Sequence, residues 1–117
     1  MIRKSDWKTK PLPLKREKLG YEKFFSDADA EKLLNGYKPR DMDDKWFVYS
    51  EDGWIYFVRS WTGNHIFGLK LHFTAVGGAK VIESWFNSNP QDFRSLGEKE
   101  NIRLIDSIIE TMFKIES

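Results

Sequence analysis

The side chains with chemistry to offer gather between Asp41 and Gly63 and in the two strand-like runs that follow. Asp41, Asp43 and Asp44 resemble a loose magnesium cluster. They lack the glycine and the later glutamate of a calcium loop, however, and an acidic solvated turn before a strand accounts for them, so no metal is expected. His65 and His72 lie seven residues apart in one run. An odd separation in a strand sends them to opposite faces, which excludes a shared metal or a histidine dyad. His72 and Glu83, set opposite one another on neighbouring strands, would make an oriented general base, with Ser60 or Thr62 as a remote hydroxyl. They are the weak catalytic candidates, because no nucleophile elbow surrounds either hydroxyl and an ordinary cross-strand pair explains both. Phosphate-binding loops, dinucleotide fingerprints and internal repeats are absent. The balance is against an enzyme, and no cofactor is expected.

Recognition is the other chemistry on offer. If Asp52-Gly53, Gly63-Asn64 and Gly77-Gly78 are each two-residue hairpin turns, residues 45–87 divide into four strands and the register follows by counting. Tyr49 then faces Tyr56, Arg59 faces Trp46 on one side and Gly68 on the other, and Leu71 faces Ser84. Alternation sorts the side chains into two faces. One collects Phe47, Tyr49, Trp54, Tyr56, Val58, Phe67, Leu69, Leu71, Phe73, Ile82 and Phe86 and reads as core. The other mixes Trp46, Arg59, Trp61 and Trp85 with Lys70, His72 and Glu83. A guanidinium among rings, beside a glycine that admits close approach, suits a carboxylate-bearing partner or a base with its phosphate. The competing account is packing: the N-terminal segment and first helix cover this face, and Arg59 pairs with Asp41, Asp43 or Asp44. A slip of one residue at any turn would exchange the faces beyond it.

The elements that must position these groups are legible in outline. Residues 1–20 hold Pro11 and Pro13, which disfavour helix and predict an extended arm docked through Leu12 and Leu14. Residues 21–117 form one α+β domain. Ser26 caps a short helix from about Asp27 to Leu34, with Asp27 and Asp29 in its first turn and Asn35-Gly36 ending it. Ile102, Ile105, Ile108, Ile109, Met112 and Ile115 recur at helical spacing from about Glu98, which predicts a long C-terminal helix across the core face of a four-stranded antiparallel meander.

Composition bounds the function classes. A chain of 117 residues buries enough surface to fold without staples, and 40% hydrophobic with 32% charged residues is ordinary for a globular protein. Nine Phe, five Trp and four Tyr are many, so a core or a binding surface is rich in rings. There is no cysteine, which excludes disulfides and thiolate chemistry and fits a cytoplasmic protein. No apolar run follows the charged N-terminus, so neither a secretory signal nor a membrane anchor is expected. The net charge of +1 hides a basic arm, with Arg3, Lys4, Lys8, Lys10, Lys15, Arg16 and Lys18 against Asp6 and Glu17. Salt-dependent nucleic-acid binding by that arm is the weakest of the functional readings; a solvated terminus explains the charge.

The stretch DMDDKWFVYSEDGWIYFVRSWTGNHIFGLKL, with Asp44-Lys45-Trp46-Phe47, a hairpin and Arg59-Ser60-Trp61-Thr62-Gly63, resembles the core of a group of short bacterial proteins. Trp7, Pro11-Leu12-Pro13-Leu14 and Asn87 extend the resemblance over most of the chain. Some of that group carry the label of ADP-ribosyl-dinitrogen-reductase hydrolase, a large all-helical architecture that holds two magnesium ions with several acids. A short, strand-rich chain does not accommodate that architecture, and the resemblance implies a recurrent Arg59-to-Gly63 signature at a strand end. Two functions follow as expectations. One is a non-catalytic protein-binding module, immunity-like or regulatory, that uses Trp46, Arg59, Trp61, Thr62 and Trp85. The alternative is a protein handling a nucleotide or ADP-ribose, with Arg59 on phosphate and Trp61 stacked on a base.

Overall fold

The order of elements follows the turn and cap signals closely. In the computed structural model, which describes residues 1–115, strands β1 (Arg16–Lys18) and β2 (Phe24–Phe25) precede helix α1 (Asp27–Asn35). Strands β3 (Trp46–Glu51), β4 (Trp54–Arg59), β5 (His65–Phe73) and β6 (Ala79–Asn87) follow, and helix α2 (Glu98–Phe113) closes the order. Ser26 Oγ accepts from the Asp29 amide at the start of α1, and Gly36 at φ 80° ends it with its amide on the Leu33 carbonyl. Among the described residues no helix is long and apolar enough to cross a membrane.

The sheet is antiparallel and has six strands rather than four. β3, β4, β5 and β6 are neighbours in that order, as the meander requires, but β1 and β2 both add to the outer edge of β6. The physical reason is the edge itself: an unpaired edge on a nine-residue strand leaves a row of amides and carbonyls open, and the chain covers it with its own N-terminal part. Between the two short strands, Leu19 donates to the Ser84 carbonyl and the Val81 amide to that of Lys23. The N-terminal segment is therefore not simply an extended arm. It contains a 3₁₀ turn at Lys4–Asp6 and a sheet strand within residues 1–20.

The first hairpin has the expected register, with Tyr49 opposite Tyr56 and Trp46 opposite Arg59. Asp52 and Gly53 both have positive φ, as its two-residue turn demands. The next two turns do not set the two-residue register. Gly63-Asn64 belongs to a longer loop in which Gly63 donates to the Arg59 carbonyl and Arg59 to that of Asn64. Gly68 consequently meets Tyr56 instead of Arg59, a displacement of three residues, and the pairing shifts again where Val58 meets His65. Around Gly77-Gly78 the loop starts at Thr74, and Ser84 meets Leu69 instead of Leu71.

An odd displacement exchanges faces. Trp46, Val48, Ile55 and Phe57 join Phe67, Leu69 and Leu71 in the core beneath both helices. Phe47, Tyr49 and Val58, expected in that core, form a separate cluster on the outer face with Ile2, Trp7 and Tyr56 packed against it. The C-terminal helix crosses one face as expected, through Ile105, Ile108, Ile109 and Phe113, but on β3 and β4 it is the other face from the one anticipated.

Gly68 shows how tightly the outer face is built. A Cβ there would lie 2.4 Å from the Trp85 indole, so that ring, and not an external ligand, occupies the space the glycine leaves. Gly68→Ala should destabilise the fold by about 1–3 kcal/mol through overpacking, read as a lower denaturation midpoint in urea. An unchanged midpoint would mean that Trp85 is free to move aside.

Candidate functional site

The loop that upsets the register is held by several hydrogen bonds. Ser60 donates its amide to the Lys45 carbonyl (2.9 Å) and its hydroxyl to that of Asp44 (2.8 Å). Trp7 Nε1 donates to the Ser60 carbonyl at 2.8 Å, and Lys10 to that of Gly63 at 2.8 Å. Gly63 has φ 80°, and a Cβ on it would press on the Lys8 carbonyl at 3.2 Å, so glycine fits both the turn and the arm laid against it. Thr62 Oγ1 accepts from the Asn64 amide.

On this frame stands Trp61. Its side chain is 60% exposed, yet its Nε1 donates to the Met42 carbonyl at 3.0 Å. The acidic turn that carries Met42 is held by its own carboxylates. Asp41 Oδ1 accepts from the Asp43 amide, and Asp44 Oδ2 accepts from the Arg40 amide and guanidinium and from the Tyr37 hydroxyl. The Arg40 amide and guanidinium hold the Asp44 carboxyl below the usual carboxylate range. Trp7, Pro39, Arg40, Met42, Ser60 and Trp61 line a shallow hollow of about 520 Å³ here.

The other anticipated site residues do not join Trp61. Trp46 is buried and stacked near Phe67 on the helix side, and Arg59 lies over its ring at 5.2 Å from the centroid. Arg59 pairs with none of Asp41, Asp43 and Asp44, since Asp44 is taken by Arg40. Trp85 is on the outer face beneath Arg16, 5.5 Å from the guanidinium carbon to the ring centroid. His72 stands exposed opposite Lys80, and Glu83 opposite Lys70, so these two are not a cross-strand pair. The Arg-centred aromatic face thus resolves into separate places.

Sequence reasoning missed a groove of about 680 Å³ on the outer face, with Trp54, Tyr56 and Trp85 as its floor and Arg16, Lys18 and Glu83 around it. The β4–β5, β5–β6 and β1–β6 registers together assemble these residues, and the loop lengths that set the first two carry no distinct signal. It also missed His65. The bulge where β4 meets β5 turns His65 to the outer face, and it is 1% exposed with Nε2 2.7 Å from the Tyr49 hydroxyl. Its Nδ1 has no well-formed hydrogen-bond partner. Burial, with the Lys4 charge nearby, pushes the His65 pKa down to about 4, and burial raises the Tyr49 hydroxyl well above its usual value.

No family model, curated protein or solved structure matches the chain. The candidate sites therefore stand on their geometry.

His65 makes stability depend on pH. In the unfolded chain it takes up a proton near pH 6.5, whereas the fold keeps it neutral until about pH 4. Its contribution is fully present above pH 6.5 and is lost as pH falls from 6.5 to 4, by up to about 3 kcal/mol. Urea midpoints across that window should fall for the wild type and fall less for His65→Gln; parallel curves would remove His65 from the account.

Proposed function

We propose that the chain is a non-catalytic protein-binding module that offers Trp61 and Met42 to a partner. The observation that carries this reading is an indole that is 60% exposed and fixed in place at the same time. A large exposed apolar side chain is ordinarily mobile, and ordering it on association costs about 0.5–1.5 kcal/mol. Trp61 has that ordering built in, through its own bond to Met42 and through the bonds that fix Ser60 and Gly63 beneath it. Tryptophan, with arginine beside it, is the composition of a binding hot spot, and methionine adapts to the partner's shape. Met42 is 79% exposed and Arg40 is exposed at the edge. The hollow is open and shallow, which suits an apolar protrusion of a folded partner better than an engulfed small molecule. A regulatory or immunity-like role, in which one protein masks another, uses a rigid anchor of this kind.

The nucleotide-handling alternative built on Arg59 and Trp61 has less support. Arg59 is engaged with the Trp46 ring and does not line the hollow beside Trp61.

Trp61→Ala should leave the melting temperature within about 2 °C of wild type, since the ring is mostly in solvent, and should weaken a partner complex by at least about 30-fold. The check is capture of interacting proteins from cells that express the chain, followed by titration of the captured species against both forms. A partner bound equally by wild type and Trp61→Ala would overturn the assignment.

A further inference from the structure

The outer-face groove shares no lining residue with the Trp61 hollow, and its chemistry differs. Trp54, Tyr56 and Trp85 form an aromatic row along it: the Trp54 and Tyr56 rings stack with centroids 6.2 Å apart and planes within 11° of parallel, and Trp85 lies 6.3 Å from Tyr56 at a 46° tilt. His65 packs against Tyr56 with ring centroids 5.5 Å apart and planes near perpendicular. A cation stands over each end, Arg16 over Trp85 and Lys70 over Trp54 at 5.6 Å. Lys18, opposite Trp85 in the β1–β6 pairing, adds a third. Among the described residues none of these three cations makes a salt bridge. The acids in reach are Glu83 in the lining and Glu51 and Asp52, whose charges bear on Tyr56 beside the Trp54 end.

We propose that this groove binds a nucleoside phosphate, with the base stacked on Tyr56 and the phosphates on Arg16 and Lys18. The partly exposed Tyr56 and Trp54 rings give a sequence-tolerant stacking surface, and the guanidinium and ammonium groups at the Trp85 end, outside the salt bridges of the described residues, give a phosphate site. Glu83 decides between anions. Its carboxylate in the lining repels every anion, but a nucleoside phosphate brings ribose hydroxyls that it can accept from, which an acidic peptide lacks. The volume, about 680 Å³, lies within the range of small-molecule sites. The shared chemistry is base plus phosphate, whether in a free nucleotide or in a single strand.

Tryptophan fluorescence titration of the full chain tests it, with ADP, adenosine, pyrophosphate and a short single-stranded oligonucleotide as probes. ADP should quench the fluorescence and raise the melting temperature, while adenosine and pyrophosphate each bind at least about tenfold more weakly. Arg16→Ala should weaken ADP about tenfold and leave adenosine unchanged; if it lowers the melting temperature, Lys18→Ala serves the same purpose, because both side chains are exposed. Glu83→Gln should cost affinity for ADP and not for its 2′,3′-dideoxy analogue. Trp61→Ala should bind ADP as wild type does, so this proposal and the partner reading fail separately. Tighter binding of the oligonucleotide, with affinity that falls with salt, would identify the strand as the source of the same chemistry. The proposal is overturned if no phosphate-bearing probe binds, if pyrophosphate binds as well as ADP, or if polyglutamate competes in the groove.

Discussion

The pairing of Tyr56 with Gly68 is the constraint on which the rest depends. It follows from the loop Ser60–Trp61–Thr62–Gly63, which is too long for a two-residue hairpin and is held by bonds to the residues before β3 and to the arm. Once β5 enters three residues displaced, Trp46, Val48, Ile55 and Phe57 lie on the same side as Phe67 and Leu69 and require helices over them. The remaining rings must face the other way. There Phe47, Tyr49 and Val58 are too apolar for water, and Ile2 and Trp7 cover them. Beyond Ile2 and Trp7, Gly68 lets Trp85 lie down against the strand, and the groove begins.

The N-terminal segment connects the two surfaces. Through Trp7 and Lys10 it braces the loop that carries Trp61, and through β1 it sets Arg16 and Lys18 beside Trp85. Part of its basic charge is thereby delivered to one edge of the sheet. His65 lies buried on the same face, and the nearby Lys4 charge adds to burial in lowering its pKa. The outer face, unlike the helix-covered one, is held by a segment with few residues buried.

The helices, the caps of α1 and the tight first hairpin were legible because each rests on local chemistry. Ser26, Gly36 and Asp52-Gly53 determine the backbone within a few residues of themselves. The four central strands were legible for the same reason, and Tyr49 opposite Tyr56 follows from a turn of known length. What the sequence left open was how many residues the second and third turns use, since Gly63-Asn64 and Gly77-Gly78 mark a bend without fixing its size. That uncertainty moved Trp46 and Arg59 away from Trp85 and separated His72 from Glu83. Edge strands β1 and β2 were illegible because Arg16-Glu17-Lys18 and Phe24-Phe25 carry no alternation; the open edge of β6 recruits them.

Fixation of an exposed indole is the central claim, and ¹⁵N relaxation of the tryptophan Nε1–H groups measures it without a partner. The five indoles give five signals, among which buried Trp46 and Trp85 serve as rigid references. The account predicts that Trp61 has an order parameter near about 0.85, alongside those two, despite its exposure. A value below about 0.6 for Trp61 would mean that its bond to Met42 is transient in solution, and the preorganised anchor would be contradicted.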